Sequence, residues 1–133
     1  RVFLRNETGD YKQTKTQVLV TRDSDKKLVL VSGGNLRTKA GWSRKDLTLA
    51  KPGKKNAQGE YYSNSDFYIG RDKLDDGGYT ATLKTDGKLY GTYKFTIKSG
   101  EIEPQGRQVR DSTDPTEFIE GNGRREFWMK KQQ

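Results

Sequence analysis

Strict alternation of apolar and polar side chains over residues 79–98 constrains the fold more than any other feature of this chain. The apolar set comprises Tyr79, Ala81, Leu83, Tyr93, Phe95 and Ile97, and threonines and lysines stand between its members. A period of two is that of a strand with one buried and one solvated face. The segment therefore predicts two half-buried antiparallel strands, and with them an all-β domain.

The register of this predicted hairpin depends on its loop, because directly opposed residues of an antiparallel pair point to the same face. A two-residue loop at Asp86-Gly87 places Lys94 opposite Tyr79, which sets a charge against the apolar face. A three-residue loop beginning at Thr85, with a left-handed Gly87, avoids this conflict. It pairs Tyr79 with Tyr93, Ala81 with Gly91 and Leu83 with Leu89, and it is the register that we predict.

Two further strands are indicated on either side of the polar turn at residues 23–26. Apolar residues run from 18 to 20 and from 28 to 31, and the second run is apolar on both faces, as in a strand covered on both sides. Residues 2–4 suggest an earlier strand. Residues 51–59 read as a basic loop, and Trp42 at the edge of this region is expected to fill the core.

The C-terminal region has a different pattern. The sequence Asp114-Pro115-Thr116-Glu117 has the N-cap, first-turn proline and capping-box carboxylate of a helix start, and Gly121 to Gly123 would end that helix. Phe118 and Ile119 would dock this one turn on the domain. We expect a β-sandwich domain over residues 1–110, and over 111–133 an extension packed on that domain or on a partner.

The segment from Asp75 to Ala81, with the letters DDGGYTA, resembles the Asp-x-Gly-x-Tyr-x-Cys signature of immunoglobulin-like sandwiches. Ala81 stands where that family has its disulfide cysteine. The resemblance implies an immunoglobulin-like antiparallel sandwich in which the tyrosine hydroxyl closes a corner between two strands. It implies nothing about function, because sandwiches host unrelated activities.

Composition excludes most enzyme chemistry, because the 133 residues contain neither cysteine nor histidine. Thiolate nucleophiles, imidazole bases and nearly all zinc, haem and iron–sulfur sites are thereby removed. Three aspartate clusters remain: Asp23 with Asp25; Asp72 with Asp75 and Asp76; and Asp111 with Asp114. All coincide with predicted turns, where aspartate bonds to nearby backbone. A carboxylate pair for catalysis and a calcium site stay open as alternatives, but we predict a non-enzyme without a cofactor.

The net charge of +8 and the pI near 9.6 predict an anionic partner, with general solubility as the alternative explanation. The chain begins at Arg1 without an initiator methionine, which suggests a processed N-terminus and a secreted or periplasmic location. No small-molecule substrate is indicated.

The basic and aromatic tail supplies the first functional hypothesis. We expect a non-catalytic extracytoplasmic subunit or binding module that docks on an acidic or membrane-bound protein assembly, or on an anionic membrane surface. Its expected contacts are Arg124, Arg125, Phe127, Trp128, Lys130 and Lys131, with Lys54 and Lys55 on a second loop. A terminal strand that caps the core explains the same tail equally well.

The second hypothesis places function on the predicted hairpin. Lysines are expected to share its solvated face with threonines, as on the sheets of nucleic-acid or polyanion binders. The residues are Lys84, Lys88, Lys94 and Lys98, with Tyr90 also directed outward. An ordinary solvated face that guards against edge pairing is the alternative.

Overall fold

A computed structural model of the chain describes residues 1–6, 12–38, 41–45, 74–103, 117–121 and 127–133. The all-β prediction is confirmed for these residues, which form strands and no α-helix. The strands are β1 (Val2–Asn6), β2 (Lys12–Arg22), β3 (Leu28–Thr38), β4 (Gly41–Lys45), β5 (Gly77–Thr85), β6 (Lys88–Lys98), β7 (Glu101–Ile102), β8 (Phe118–Gly121) and β9 (Phe127–Lys130).

The strands form two antiparallel sheets with a common core. One sheet has the order β4-β1-β8-β9, and the other has the order β3-β2-β5-β6-β7. Val2, Ile119 and Met129 project from the first sheet into a cluster that is otherwise built by β2, β3, β5 and β6 of the second. This two-layer burial is how sheets with one apolar face become stable.

The alternating hairpin predicted from the sequence is present as β5 and β6. All six of its apolar residues are buried, none exposing more than 3% of its surface. The rings of Tyr79 and Phe95 stack with their centroids 5.5 Å apart and their planes at 15°. Aromatic pairs of this kind add to the stability that area burial gives, so the two strands supply the centre of the core.

The predicted register of the hairpin is wrong. Tyr79 pairs with Phe95 and Ala81 with Tyr93, and the loop is the two-residue Asp86-Gly87 turn, with Thr85 opposite Lys88. Both loop residues have positive φ, 49° and 77°, which is the type I′ geometry that Asp-Gly favours.

A bulge removes the conflict that argued against this turn. The pairing shifts between Leu83 and Lys84, so that Tyr90 and Gly91 both stand opposite Leu83. The extra residue returns the apolar face of β6 to the core. Leu89, predicted to pair with Leu83 on that face, lies instead opposite Lys84 and exposes 66% of its surface.

The other predicted strands are also found. β2 and β3 pair around the polar turn, and β1 includes residues 2–4, where the sequence suggested an early strand. Leu30 and Val31 are neighbours in sequence that point to opposite faces, and both are buried, as predicted for a strand covered on both sides. The side chain of Trp42 and residues 51–59 lie outside the described part of the structure.

The predicted helical turn is not confirmed: among the described residues only Glu117, directly before β8, has a helical conformation, of the 3₁₀ type. Residues 114–116 lie outside them, and Phe118–Gly121 is strand β8, paired with β1 and β9. Phe118 and Ile119 are both buried. Successive strand residues face opposite sides of a sheet, so these two do not dock a helix on one surface.

The hydroxyl of Tyr79 bonds to the main chain just before β5. The Tyr79 hydroxyl donates a hydrogen bond of 2.7 Å to the carbonyl of Asp75, four residues upstream. Burial raises the pKa of Tyr79, which keeps the phenol protonated and able to donate. The contact fixes the entry of the chain into β5.

Candidate functional site

The outward positions of hairpin β5–β6 form a surface that we call the lysine–threonine face. It consists of Thr80, Thr82, Lys84, Thr92, Lys94, Thr96 and Lys98, with Gly78 and Leu89 at its ends. Lys94 and Lys98 are exposed and Lys84 is half-buried. Their ammonium groups are thus on the side of the sheet away from the shared core.

Register sets the spacing of these three lysines. Lys94 and Lys98 are four residues apart on β6, and Lys94 lies opposite Thr80, which is four residues before Lys84 on β5. At about 3.4 Å per residue, the three Cα positions are spaced by about 14 Å along the strand direction, with Lys84 one strand, about 5 Å, to the side of the other two. Such a row suits an extended anionic chain better than a single small anion.

The charge along this row is uneven. Lys98 lies opposite Glu101 in register, and its ammonium is 3.7 Å from a carboxylate oxygen of Glu103. By contrast, the outward positions of β2, β3, β5 and β6 carry no acidic residue, while β2 and β3 add Lys15 and Arg37. We therefore expect Lys84 to contribute more to binding of an anion than Lys98.

Two residues predicted for this face lie elsewhere. Lys88 is opposite Thr85 and so points to the same side of the sheet as the core, beyond its end, where it is exposed. Tyr90 is the bulge residue, and it packs half-buried against the core instead of pointing outward. The bulge, which the sequence pattern did not reveal, reverses both orientations. No aromatic side chain stands on the outward positions of β5–β6.

The residues predicted for partner contact are distributed differently. Met129 exposes only 3% of its surface, and Lys130 next to it is exposed. The Lys131 ammonium lies 4.5 Å from the centre of the Tyr90 ring, a cation–π contact within the domain. Phe127 and Trp128 lie in β9, and only their backbone is described. Arg124, Arg125, Lys54 and Lys55 lie outside the described residues.

The described aspartates support turns and corners. Asp76 accepts hydrogen bonds from the amides of Ser99 at 2.8 Å and Gly100 at 3.0 Å, and these bonds lower the pKa of its carboxyl. Asp23 accepts from the Thr80 hydroxyl at 2.6 Å, and Asp25 accepts from the Lys27 amide at 3.1 Å. This is the local bonding that the turn interpretation predicts. Asp72, Asp111 and Asp114 lie outside the described residues.

A cleft opens between the sheets at the end where β1 stops and the β5–β6 turn lies. Its volume is about 180 Å³, and its wall includes Leu4, Asn6, Thr14, Thr38, Thr85 and Tyr90. Arg5, Lys12 and Asp86 add charge. Sequence analysis missed this cleft. The available signal was that Thr14 and Thr16 keep the same alternation as the buried Val18 and Val20.

The described residues contain no group of three or more metal-ligating side chains, and no helix among them is long and apolar enough to span a membrane. Comparison with known proteins also gave no match, whether with protein-family models, with curated proteins or with solved structures. The function must therefore be argued from the surface and the cleft themselves.

Proposed function

We propose that this chain is a non-catalytic binding module that holds a polyanion against the lysine–threonine face. The observation that carries the proposal is the line of Lys84, Lys94 and Lys98 along two paired strands, with no carboxylate on the outward positions of β5 and β6. The Thr80 hydroxyl donates to the Asp23 carboxylate, which borders the face there. The other threonine hydroxyls between the lysines can donate hydrogen bonds to sulfate, phosphate or carboxylate oxygens. The net charge of +8 favours the encounter.

Charge, not base recognition, is the basis of this binding. Single-strand binders add aromatic side chains on which bases stack, and the outward positions of this hairpin carry none. A nucleic acid and a sulfated polysaccharide of equal charge and length are therefore expected to bind with similar affinity.

Salt dependence tests the proposal. Affinity for an oligothymidylate is measured by fluorescence anisotropy across a salt series, with a heparin oligosaccharide as competitor. If three lysines neutralise phosphates, log K should fall with log[salt] with a slope of about −2, since each phosphate contributes about 0.7 on a single strand. Lys84→Gln should reduce the slope by about 0.7, and Lys94→Gln should also reduce it. Lys98→Gln should reduce it less than Lys84→Gln because Glu101 and Glu103 are close.

Lys130→Gln is the matched control, because it removes one exposed lysine from the other sheet. It should leave the slope almost unchanged. Binding that does not respond to salt, or an equal loss for Lys130→Gln and Lys94→Gln, contradicts the proposal. The second outcome would instead favour docking through the tail on an acidic or membrane-bound assembly, which stays a proposal supported by the exposure of Lys130 on β9.

We also propose the immunoglobulin-like class as the finer description of the fold. The Tyr79 hydroxyl contact supports it. The order β4-β1-β8-β9 of the first sheet argues on the other side, because it includes two strands that follow β5 and β6 in the chain, whereas every strand of the immunoglobulin ABED sheet precedes F and G. An experimental structure that includes residues 46–73 decides between these orders.

A further inference from the structure

Among the described residues, Leu89 is the large hydrophobic side chain that stays mostly in water, with 66% of its surface exposed. The bulge at Tyr90 turns Leu89 outward, opposite Lys84 and just after the β5–β6 turn. A single exposed leucine is common on protein surfaces. Its meaning therefore depends on the groups that share its end of the sheet.

The end of the second sheet that carries Leu89 is basic. Lys84 is the cross-strand neighbour of Leu89, and Lys88 precedes it with its side chain exposed. Arg37 is exposed on the outward side of β3, three strands away. By their register, these residues span about 14 Å along the strands and about 14 Å across them. The Asp86 carboxylate in the turn already accepts a hydrogen bond of 2.8 Å from a main-chain amide of β2.

The opposite end of the same sheet, where β2 ends and β5 begins, is acidic. Carboxylates outnumber cations among its described residues, and they are Asp23, Asp25, Asp75, Asp76, Glu101 and Glu103. An anionic surface attracts the basic end and repels the acidic end. The charges of the described residues therefore favour one orientation of approach, in which Leu89 is at the front.

The exposed leucine indicates the class of anionic surface. A soluble polyanion can neutralise the lysines, but it leaves Leu89 in water. A bilayer that contains anionic lipids offers negative headgroups to the lysines and, a few ångströms deeper, hydrocarbon to the leucine. An apolar side chain set beside cations at the end of a hairpin therefore fits a membrane interface better than it fits a soluble anion.

We infer that the end of the sheet that carries Leu89 docks on an anionic membrane surface. Leu89 enters the boundary between headgroups and acyl chains, and Lys84 and Lys88 lie at the headgroups. One inserted side chain and a few cations give weak and reversible attachment, since even a single acyl chain binds a membrane only marginally. The inference does not rest on polyanion binding by the lysine–threonine face, although both use Lys84.

The first test is sedimentation of the full chain with vesicles at low salt. Phosphatidylcholine vesicles with about one-third phosphatidylserine should bind the chain, and phosphatidylcholine alone should bind it at least about tenfold more weakly. Leu89→Thr keeps a strand-forming residue on the threonine-rich face, and should weaken partition about tenfold. Because Leu89 is exposed, this variant should melt like the parent, so a loss of binding does not come from unfolding.

A fluorescent label tests the insertion itself. The chain contains no cysteine, so one introduced cysteine can carry an environment-sensitive dye at a single site. The label on Leu89→Cys should shift to shorter wavelength on anionic vesicles. The matched control is Thr96→Cys, which is exposed on the outer face of the same strand but near the acidic end. Its label should keep the emission that it has in water.

Two lysine variants separate this inference from the proposed polyanion binding. Lys88 lies off the lysine–threonine face, so Lys88→Gln should weaken vesicle partition about fivefold and leave the salt slope for oligothymidylate almost unchanged. Lys94→Gln should affect the oligothymidylate slope more than vesicle partition. The inference is overturned if the chain does not bind anionic vesicles, if Leu89→Thr binds them like the parent, or if the label at position 89 stays in water as the label at position 96 does.

Discussion

Removal of β9 should unfold the domain, although the composition of the tail resembles that of a docking segment. β9 pairs with β8, and the chain continues from it across the margin between the sheets. There Lys131 pairs with Tyr93, the Lys131 amide donates to the carbonyl of Glu117, and the Gln132 amide donates to the carbonyl of Thr92. Deletion of residues 127–133 therefore removes one strand from the first sheet and uncovers an edge of β6.

The expected loss can be worked from these contacts. Met129 exposes 3% of its surface in the shared core, and removing a buried methionine side chain costs about 2–5 kcal/mol. The two main-chain hydrogen bonds contribute about 1 kcal/mol each. Together, about 4–7 kcal/mol is comparable to the whole free energy of unfolding of a typical domain, about 5–15 kcal/mol.

Circular dichroism melts and urea titrations measure the effect. Met129→Ala retains the full chain and should lower the melting temperature by about 6–25 °C. Lys130→Ala, the exposed neighbour on the same strand, should stay within about 0.5 kcal/mol of the parent. A deletion variant that melts within a few degrees of the parent would refute the placement of β9 in the core, and would restore the tail as a segment available to a partner.

Two further predictions concern the corner at the start of β5. Tyr79→Phe keeps the ring stacked on Phe95 but removes the bond to the Asp75 carbonyl, and should cost about 1 kcal/mol, or about 3–5 °C in melting temperature; an unchanged melt would show that the hydroxyl does not hold the corner. Asp76 accepts the Gly100 and Ser99 amides, so its pKa is lower in the folded chain than its ordinary value of 3.8. A carboxyl whose pKa is lower in the folded than in the unfolded chain stabilises the fold at pH values above its unfolded-state pKa. This stabilisation is lost as the pH falls through its folded-state pKa. In urea titrations at several pH values, the free energy of unfolding of Asp76→Asn should therefore depend less on pH below about 4 than that of the parent. An equally steep fall of the two free energies below this pH would contradict the prediction.

The sequence predicted which faces of the central hairpin are buried, because alternation is a local property and burial of the apolar set follows from it. It did not predict the register. The Asp86-Gly87 turn would place Tyr79 opposite Lys94 only in an unbroken ladder of β5 and β6. A bulge at Tyr90 keeps the favoured type I′ turn and still aligns the apolar residues. Bulges carry no strong sequence signal, so turn preference was the better guide here.

The error at β8 has a different cause. The capping pattern at residues 114–117 is local, and so is the helical preference that it indicates. Phe118 and Ile119 are placed by partners far along the chain, since Ile119 pairs with Met129 and Val2 pairs with Ile119. Tertiary pairing of this kind overrides local propensity, and no local pattern reports it.

The candidate surface was predicted in part for the same reasons. Lys84, Lys94 and Lys98 follow from alternation, and they share the outer face. The orientations of Lys88 and Tyr90 depend on the turn and the bulge, so the sequence pattern placed both on the outer face although they lie on the core side of the sheet. The cleft was missed because threonine at an inward position is ambiguous in sequence: it reads as a solvated residue unless its phase is compared with that of the buried valines further along β2.

The division of the interior into an apolar and a polar part follows from the composition of the chain. Only 29% of the residues are hydrophobic, and the core cluster concentrates them around Tyr79, Tyr93 and Phe95. Inward positions at the other end carry hydroxyls and an amide. The Asn6 amide and the Thr16 hydroxyl donate to main-chain carbonyls, and because buried polar groups are costly only when they lack a partner, a chain with few apolar residues can extend its interior in this way.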